Sequence, residues 1–118
     1  MKKQYSKIWL DDERDPRQPQ IQSLFGADGD EFWVKTADQA IHYLRQGGVT
    51  FISLDHDLGP DAGSGMEVAN WIEQQAFHGT LERIHWSVHS MNSVGAKNMT
   101  KALSNADRFW DERENAAQ

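Results

Sequence analysis

Four short apolar runs punctuate the chain, at Lys7–Leu10, 31–34, 50–54 and 83–88. Each holds four to six residues and is rich in β-branched or aromatic types, the pattern of short strands buried on both faces. Helical periodicity fills the gaps between the later runs. Thr36 and Gln39 have capping-box spacing, Ala37, Ala40, Ile41 and Leu44 share a face, and Gly47-Gly48 closes the segment. Ser64 and Glu67 repeat the capping box ahead of Val68, Ala69, Ile72 and Ala76. After the fourth run, Asn92 or Ser93 is placed to cap a long helix carrying Met99, Ala102, Leu103, Ala106 and Trp110. Residues 113–118 are expected to fray. The first connection, 13–30, contains Pro16, Pro19 and two glycines. It reads as mostly loop, with Ile21, Leu24 and Phe25 packing about one helical turn on the sheet.

Strands alternating with helices predict an α/β fold with a parallel sheet and right-handed crossovers. The expectation is a small, flavodoxin-like doubly wound sheet of four strands in order 2-1-3-4. In such sheets ligands bind beyond the carboxyl ends of the strands. Those ends carry Asp11-Asp12-Glu13-Arg14, Asp55-His56-Asp57-Leu58-Gly59 and His89-Ser90-Met91-Asn92. Gathering several carboxylates at one rim is costly unless a cation or a shared proton offsets their repulsion. Oxygen donors suit Mg²⁺, and added imidazole shifts the preference toward Mn²⁺. His89 lies at the rim and His85 does not, while His42 and His78 read as structural. Ser90 and Asn92 precede a helix and cap by default. The helix N-terminus they would form also attracts phosphate, and Arg14 follows the Asp pair closely enough to reach an anion.

Composition narrows the classes. The 118 residues carry a net charge of −6 and no cysteine. One domain, 1–118, accommodates that length. Thiolate metal sites and cysteine nucleophiles are excluded, and duplex DNA is a poor partner for an acidic surface. No apolar stretch is long enough for a signal peptide or a bilayer span, so a cytoplasmic location and no membrane partner are the expectation.

Asp11-Asp12 after an apolar run resembles the acidic pair of response-regulator receiver domains, and Asp55-His56-Asp57-Leu58 resembles their phospho-acceptor segment, with Asp55 at the acceptor position. Gly65-Met66-Glu67-Val68 is similar to the glycine-led start of the next helix, with about two residues inserted before it. Ser90, or alternatively Ser87, falls where receivers carry Ser or Thr. No position matches the lysine that ends the receivers' fifth strand. The 25 or so residues after Asn92 pattern as one helix, with Lys97 and Lys101 inside it. Trp9-Leu10-Asp11-Asp12-Glu13-Arg14, Ser53-Leu54-Asp55-His56-Asp57-Leu58-Gly59, His89-Ser90-Met91-Asn92 and Gly95 with Asn98-Met99 are closer to the receiver-derived cyclic-phosphate processing domains. That resemblance implies a metal-dependent phosphoesterase acting on a cyclic phosphate or cyclic nucleotide. Asp11, Asp12, Asp55 and Asp57 would hold Mg²⁺ or Mn²⁺, Asp57 through its backbone carbonyl. Asp55, His56 and His89 would be catalytic, and Arg14, Ser90, Asn92 and Ser93 would take phosphate oxygens. The alternative is a receiver-like module that binds a phosphorylated ligand or a partner protein without turnover.

Overall fold

The computed structural model describes residues 6–117; the opening residues 1–5, read above as carrying no leader, and the terminal Gln118 lie outside the described residues. In chain order the elements are β1 Lys7–Leu10, α1 Pro19–Phe25, β2 Phe32–Val34, α2 Ala37–Gln46, β3 Phe51–Leu54, α3 Gly65–His78, β4 His85–Val88 and α4 Ser93–Ala116. The four strands form one parallel sheet in the order β2-β1-β3-β4. This is the receiver-like α/β arrangement expected from the alternation of strands and helices.

The local chemistry explains most boundaries. Thr36 caps α2 by accepting the Gln39 N–H, and Gln39 Oε1 returns the bond to the Lys35 N–H rather than to Thr36 itself. Ser64 caps α3 through the Glu67 N–H, and Asn92 caps α4 through the Gly95 N–H. Each cap satisfies a backbone donor that the helix leaves unpaired.

Two expectations need correction. The first crossover is mostly loop as expected, but its helical part is longer than one turn: Pro19–Phe25 is a seven-residue helix with Pro in its first turn and Gly26 in the left-handed conformation at its end. Pro pre-sets φ where no N–H is needed, and Gly tolerates the positive φ that stops the helix. Ile21 is buried, but Leu24 is 74% exposed rather than packed. The C-terminal segment does not fray at Arg113. The helix continues to Ala116, and Arg113 donates to the carbonyls of Ala76 and Phe77. Trp110 Nε1 donates to Leu81 O nearby.

The two faces of the sheet differ. Ile8, Leu10, Val34, Ile52 and Leu54 pack with α2, α3 and α4 in the large apolar core. The opposite face carries an in-register row, Trp33–Trp9–Ser53–Ser87. Trp9, Ile21 and Ala27 form a small second core there, flanked by Phe25 and Trp33. No helix of the described residues is long and apolar enough to cross a membrane.

Candidate functional site

The carboxyl ends of β1 and β3 bring Asp11, Asp12 and Asp55 together. One oxygen from each lies within 4.8 Å of the other two. Asp11 and Asp55 are buried and Asp12 is half-buried. Asp12 and Asp55 line a cavity of about 300 Å³, together with Glu13, Arg14, Asp57, Gly59, Met91 and Asn92, while Asp11 lies behind them. The donor set is all oxygen and its charge is concentrated, which fits a hard divalent cation.

Asp11 is the most constrained member. Its Oδ1 accepts the backbone N–H groups of Glu13 and Arg14, at 2.9 and 3.0 Å. Its Oδ2 accepts Arg14 Nη1 and His89 Nε2, both at 3.1 Å. Its carbonyl takes the Trp33 indole N–H at 2.7 Å. Burial alone would push this carboxyl up. Hydrogen bonds from His89, the two backbone N–H groups and the Arg14 guanidinium outweigh it and hold the pKa at about 2. Asp55 goes the other way: burial, then the neighbouring Asp11 charge, raise it despite the His56 N–H at 2.9 Å and Arg14 Nη1 at 3.5 Å. Among the described residues the Asp12 carboxylate has no hydrogen-bond partner.

His89 lies beneath the rim rather than in the cavity. Its side chain is 2% exposed, and its ring stacks on Trp9 with centroids 3.8 Å apart and planes 9° from parallel. Nδ1 meets Ser53 Oγ at 2.7 Å, and Ser53 Oγ meets Ser87 Oγ at 2.8 Å. An ionised Asp11 can only accept, so Nε2 carries the hydrogen. The chain Asp11–His89–Ser53–Ser87 thus crosses from β1 to β4 along the Trp9 face. Ser53 and Trp9 were not singled out by sequence reasoning. A serine inside an otherwise apolar strand was the signal, since a buried hydroxyl needs a partner.

His56 is also engaged. Its Nδ1 pairs with Asp57 Oδ1 at 2.8 Å, an interaction that lowers the Asp57 carboxyl with help from Asn92. Gly95 gives the His56 ring its room, because a methyl at that position would sit 2.5 Å from the ring carbons. Gly65 is tighter still: a methyl there would lie 2.0 Å from the Asp55 carbonyl oxygen. Of the expected phosphate contacts, Arg14 and Asn92 line the cavity. Ser90 Oγ instead accepts the Asn92 N–H at 3.0 Å, and Ser93 stands exposed in the first turn of α4. Neither of these serines lines the cavity.

Residues 6–105 match the family described as the Cyclic-phosphate processing Receiver domain. The chain belongs to this family. Its receiver-like fold is thus reached both from its sequence and from its strand order. No curated protein matches the sequence. A solved signal receiver domain, from a protein of Vibrio parahaemolyticus assigned as Luxo repressor, is 16% identical. That alignment covers 97% of this chain and 98% of that one, at a TM-score of 0.46.

Proposed function

We propose that this cyclic-phosphate processing receiver domain is a divalent-cation-dependent phosphoesterase that opens a cyclic phosphate at the β1/β3 rim. The observation that carries the reading is the convergence of Asp11, Asp12 and Asp55 within 4.8 Å, with Asp12 and Asp55 lining a cavity also faced by Arg14 and Asn92. Asp12 and Asp55 would hold Mg²⁺ or Mn²⁺ together with Asp11, and with Asp57 through its carbonyl. Such a cation, when bound, neutralises phosphate oxygens and lowers the pKa of a coordinated water. Arg14 offers a planar fork suited to phosphate, and the Asn92 amide stands beside it. In the reaction a water oxygen adds to phosphorus and one ring P–O bond breaks. The released oxygen takes a proton, leaving a phosphomonoester and a hydroxyl.

Both imidazoles are committed to neighbours, so proton transfer falls to the cavity carboxylates and to water. His89 holds Asp11 in place instead of meeting substrate. The same commitment favours a second reading, a module that binds a phosphorylated ligand without turning it over, because no free imidazole among the described residues faces the cavity.

A panel of 2′,3′-cyclic and 3′,5′-cyclic nucleotides and cyclic dinucleotides, with Mg²⁺ or Mn²⁺, separates the two. The phosphoesterase reading expects metal-dependent ring opening that is lost in Asp12→Asn and in chelator. No turnover of any member, with a nucleotide still raising the melting temperature, would transfer the site to the binding reading.

A further inference from the structure

Asp11 has used all its acceptor capacity. A carboxylate offers about four lone-pair sites, and here four N–H donors fill them, two on each oxygen. A cation that shares Asp11 must therefore take the place of one donor. Two of the donors are backbone N–H groups in the turn that follows β1. A third sits on the His89 ring, which is pinned by Trp9 and Ser53. The fourth, Arg14 Nη1, is different. It ends a flexible stem, its side chain is a quarter exposed, and it also reaches Asp55 Oδ2 at 3.5 Å. Whichever way the guanidinium points, its base stays at the rim. The Arg14 N–H is bound to Asp11 Oδ1 and the Arg14 carbonyl accepts Trp9 Nε1 at 3.0 Å, while the guanidinium itself rests over the Phe25 ring at 4.4 Å, a contact through which it can turn.

Resting on the reading that the rim takes a divalent cation with a phosphate, we propose that Arg14 is an exchangeable counter-cation. It neutralises Asp11 and Asp55 by itself, yields Asp11 Oδ2 when a cation binds, and turns its fork onto the phosphate oxygens. The fork matches phosphate as well as it matches carboxylate, so the exchange leaves no cation unpaired. Arg14 then opposes a cation arriving alone and favours a cation arriving with phosphate. The two ligands are coupled through one side chain, and the coupling is reciprocal.

Calorimetric titration of Mn²⁺ into the wild type and Arg14→Gln, with and without inorganic phosphate, tests this. Arg14→Gln is expected to bind Mn²⁺ alone roughly tenfold tighter, the scale of a charge-assisted hydrogen bond that no longer has to be broken. In the wild type, phosphate should tighten Mn²⁺ about fivefold or more, and Arg14→Gln should lose that coupling. Arg14→Lys keeps the charge without the fork and carries the same test if Arg14→Gln does not fold. It should bind Mn²⁺ alone about as the wild type does, with weaker coupling. Equal or weaker Mn²⁺ binding in Arg14→Gln, or unchanged coupling, would overturn the exchange while leaving the cation site standing. Failure of every chain to bind Mn²⁺ would remove the cation reading and the exchange with it.

Discussion

The described residues hold two acidic triads of very different character. Asp28, Asp30 and Glu31 bring ligand atoms within 4.8 Å of one another, as do Asp11, Asp12 and Asp55. In the first triad every charge is answered from inside the fold. Lys7 Nζ bridges Asp28 and Asp30 at 2.7 Å each, and Glu31 accepts the N–H groups of Asp28 and Gly29. The Asp28 and Asp30 side chains are about two-thirds exposed, so water screens what Lys7 does not. In the second triad two members are buried, Asp55 is driven up by burial and by Asp11, and Asp12 faces a cavity without a partner among the described residues. Proximity of carboxylates is thus a weak sign of a site. Burial combined with unspent acceptor capacity is the stronger one, because the repulsion is then left for an outside ligand to relieve.

The largest effect should come from the support beneath the second triad. His89→Ala would open a hole against Trp9 and take one of two partners from Asp11 Oδ2 and from Ser53 Oγ, leaving Arg14 and Ser87. It should lower unfolding free energy by about 3 kcal/mol in denaturant titration. His85→Ala, on the exposed end of β4, should stay within about 0.5 kcal/mol. Similar losses for the two variants would mean that the His89 chain does not hold the rim.

Acid titration sharpens the contrast next. The Asp11 carboxyl is lowered from 3.8 to about 2, so its contribution is fully present above the unfolded value near 4. That contribution is lost as pH falls through about 2. At 1.36 kcal/mol per unit it amounts to about 2 kcal/mol. Unfolding followed from pH 5 to pH 2 should show this loss in the wild type, and Asp11→Asn should lack that part of it.

Asp55 carries the opposite sign. Its raised pKa means the ionised form burdens the fold at neutral pH, and protonation relieves it. Asp55→Asn is therefore expected to melt a few degrees above the wild type at pH 7 in chelator, on the scale of about 1 kcal/mol. A lower melting temperature would show that the Arg14 contact matters more than the repulsion. The smallest effect belongs to the exposed triad: Lys7→Met should shift stability by less than about 1 kcal/mol, and the shift should shrink in high salt.

The sheet was largely legible in the sequence because its signals are local. The caps Thr36, Ser64 and Asn92 sit within three residues of the N–H groups they satisfy. The short apolar runs mark the strands to within two residues, and the strand order follows from the alternation. The first crossover was less legible, since a two-turn helix bounded by Pro19 and Gly26 is too short for periodicity to reveal. At the site, Asp11, Asp12 and Asp55 could be found because each directly follows or closely trails a strand. The His89 bonds could not, because they join residues 36 and 78 positions apart and depend on which sheet face the rim residues share. The room for the His56 ring is left by Gly95, far along the chain in α4.

On the proposed function, the triad at the β1/β3 rim, and not the exposed one, takes a divalent cation. Calorimetric titration of Mn²⁺ into the wild type, Asp12→Asn/Asp55→Asn and Asp28→Asn/Asp30→Asn tests it directly. One saturable site per chain is expected in the wild type. That site should weaken by roughly a hundredfold or more in Asp12→Asn/Asp55→Asn, from the loss of two charged ligands, and stay within about twofold in Asp28→Asn/Asp30→Asn, whose carboxylates are already answered by Lys7. Binding that survives in Asp12→Asn/Asp55→Asn, or disappears in Asp28→Asn/Asp30→Asn, would contradict the account.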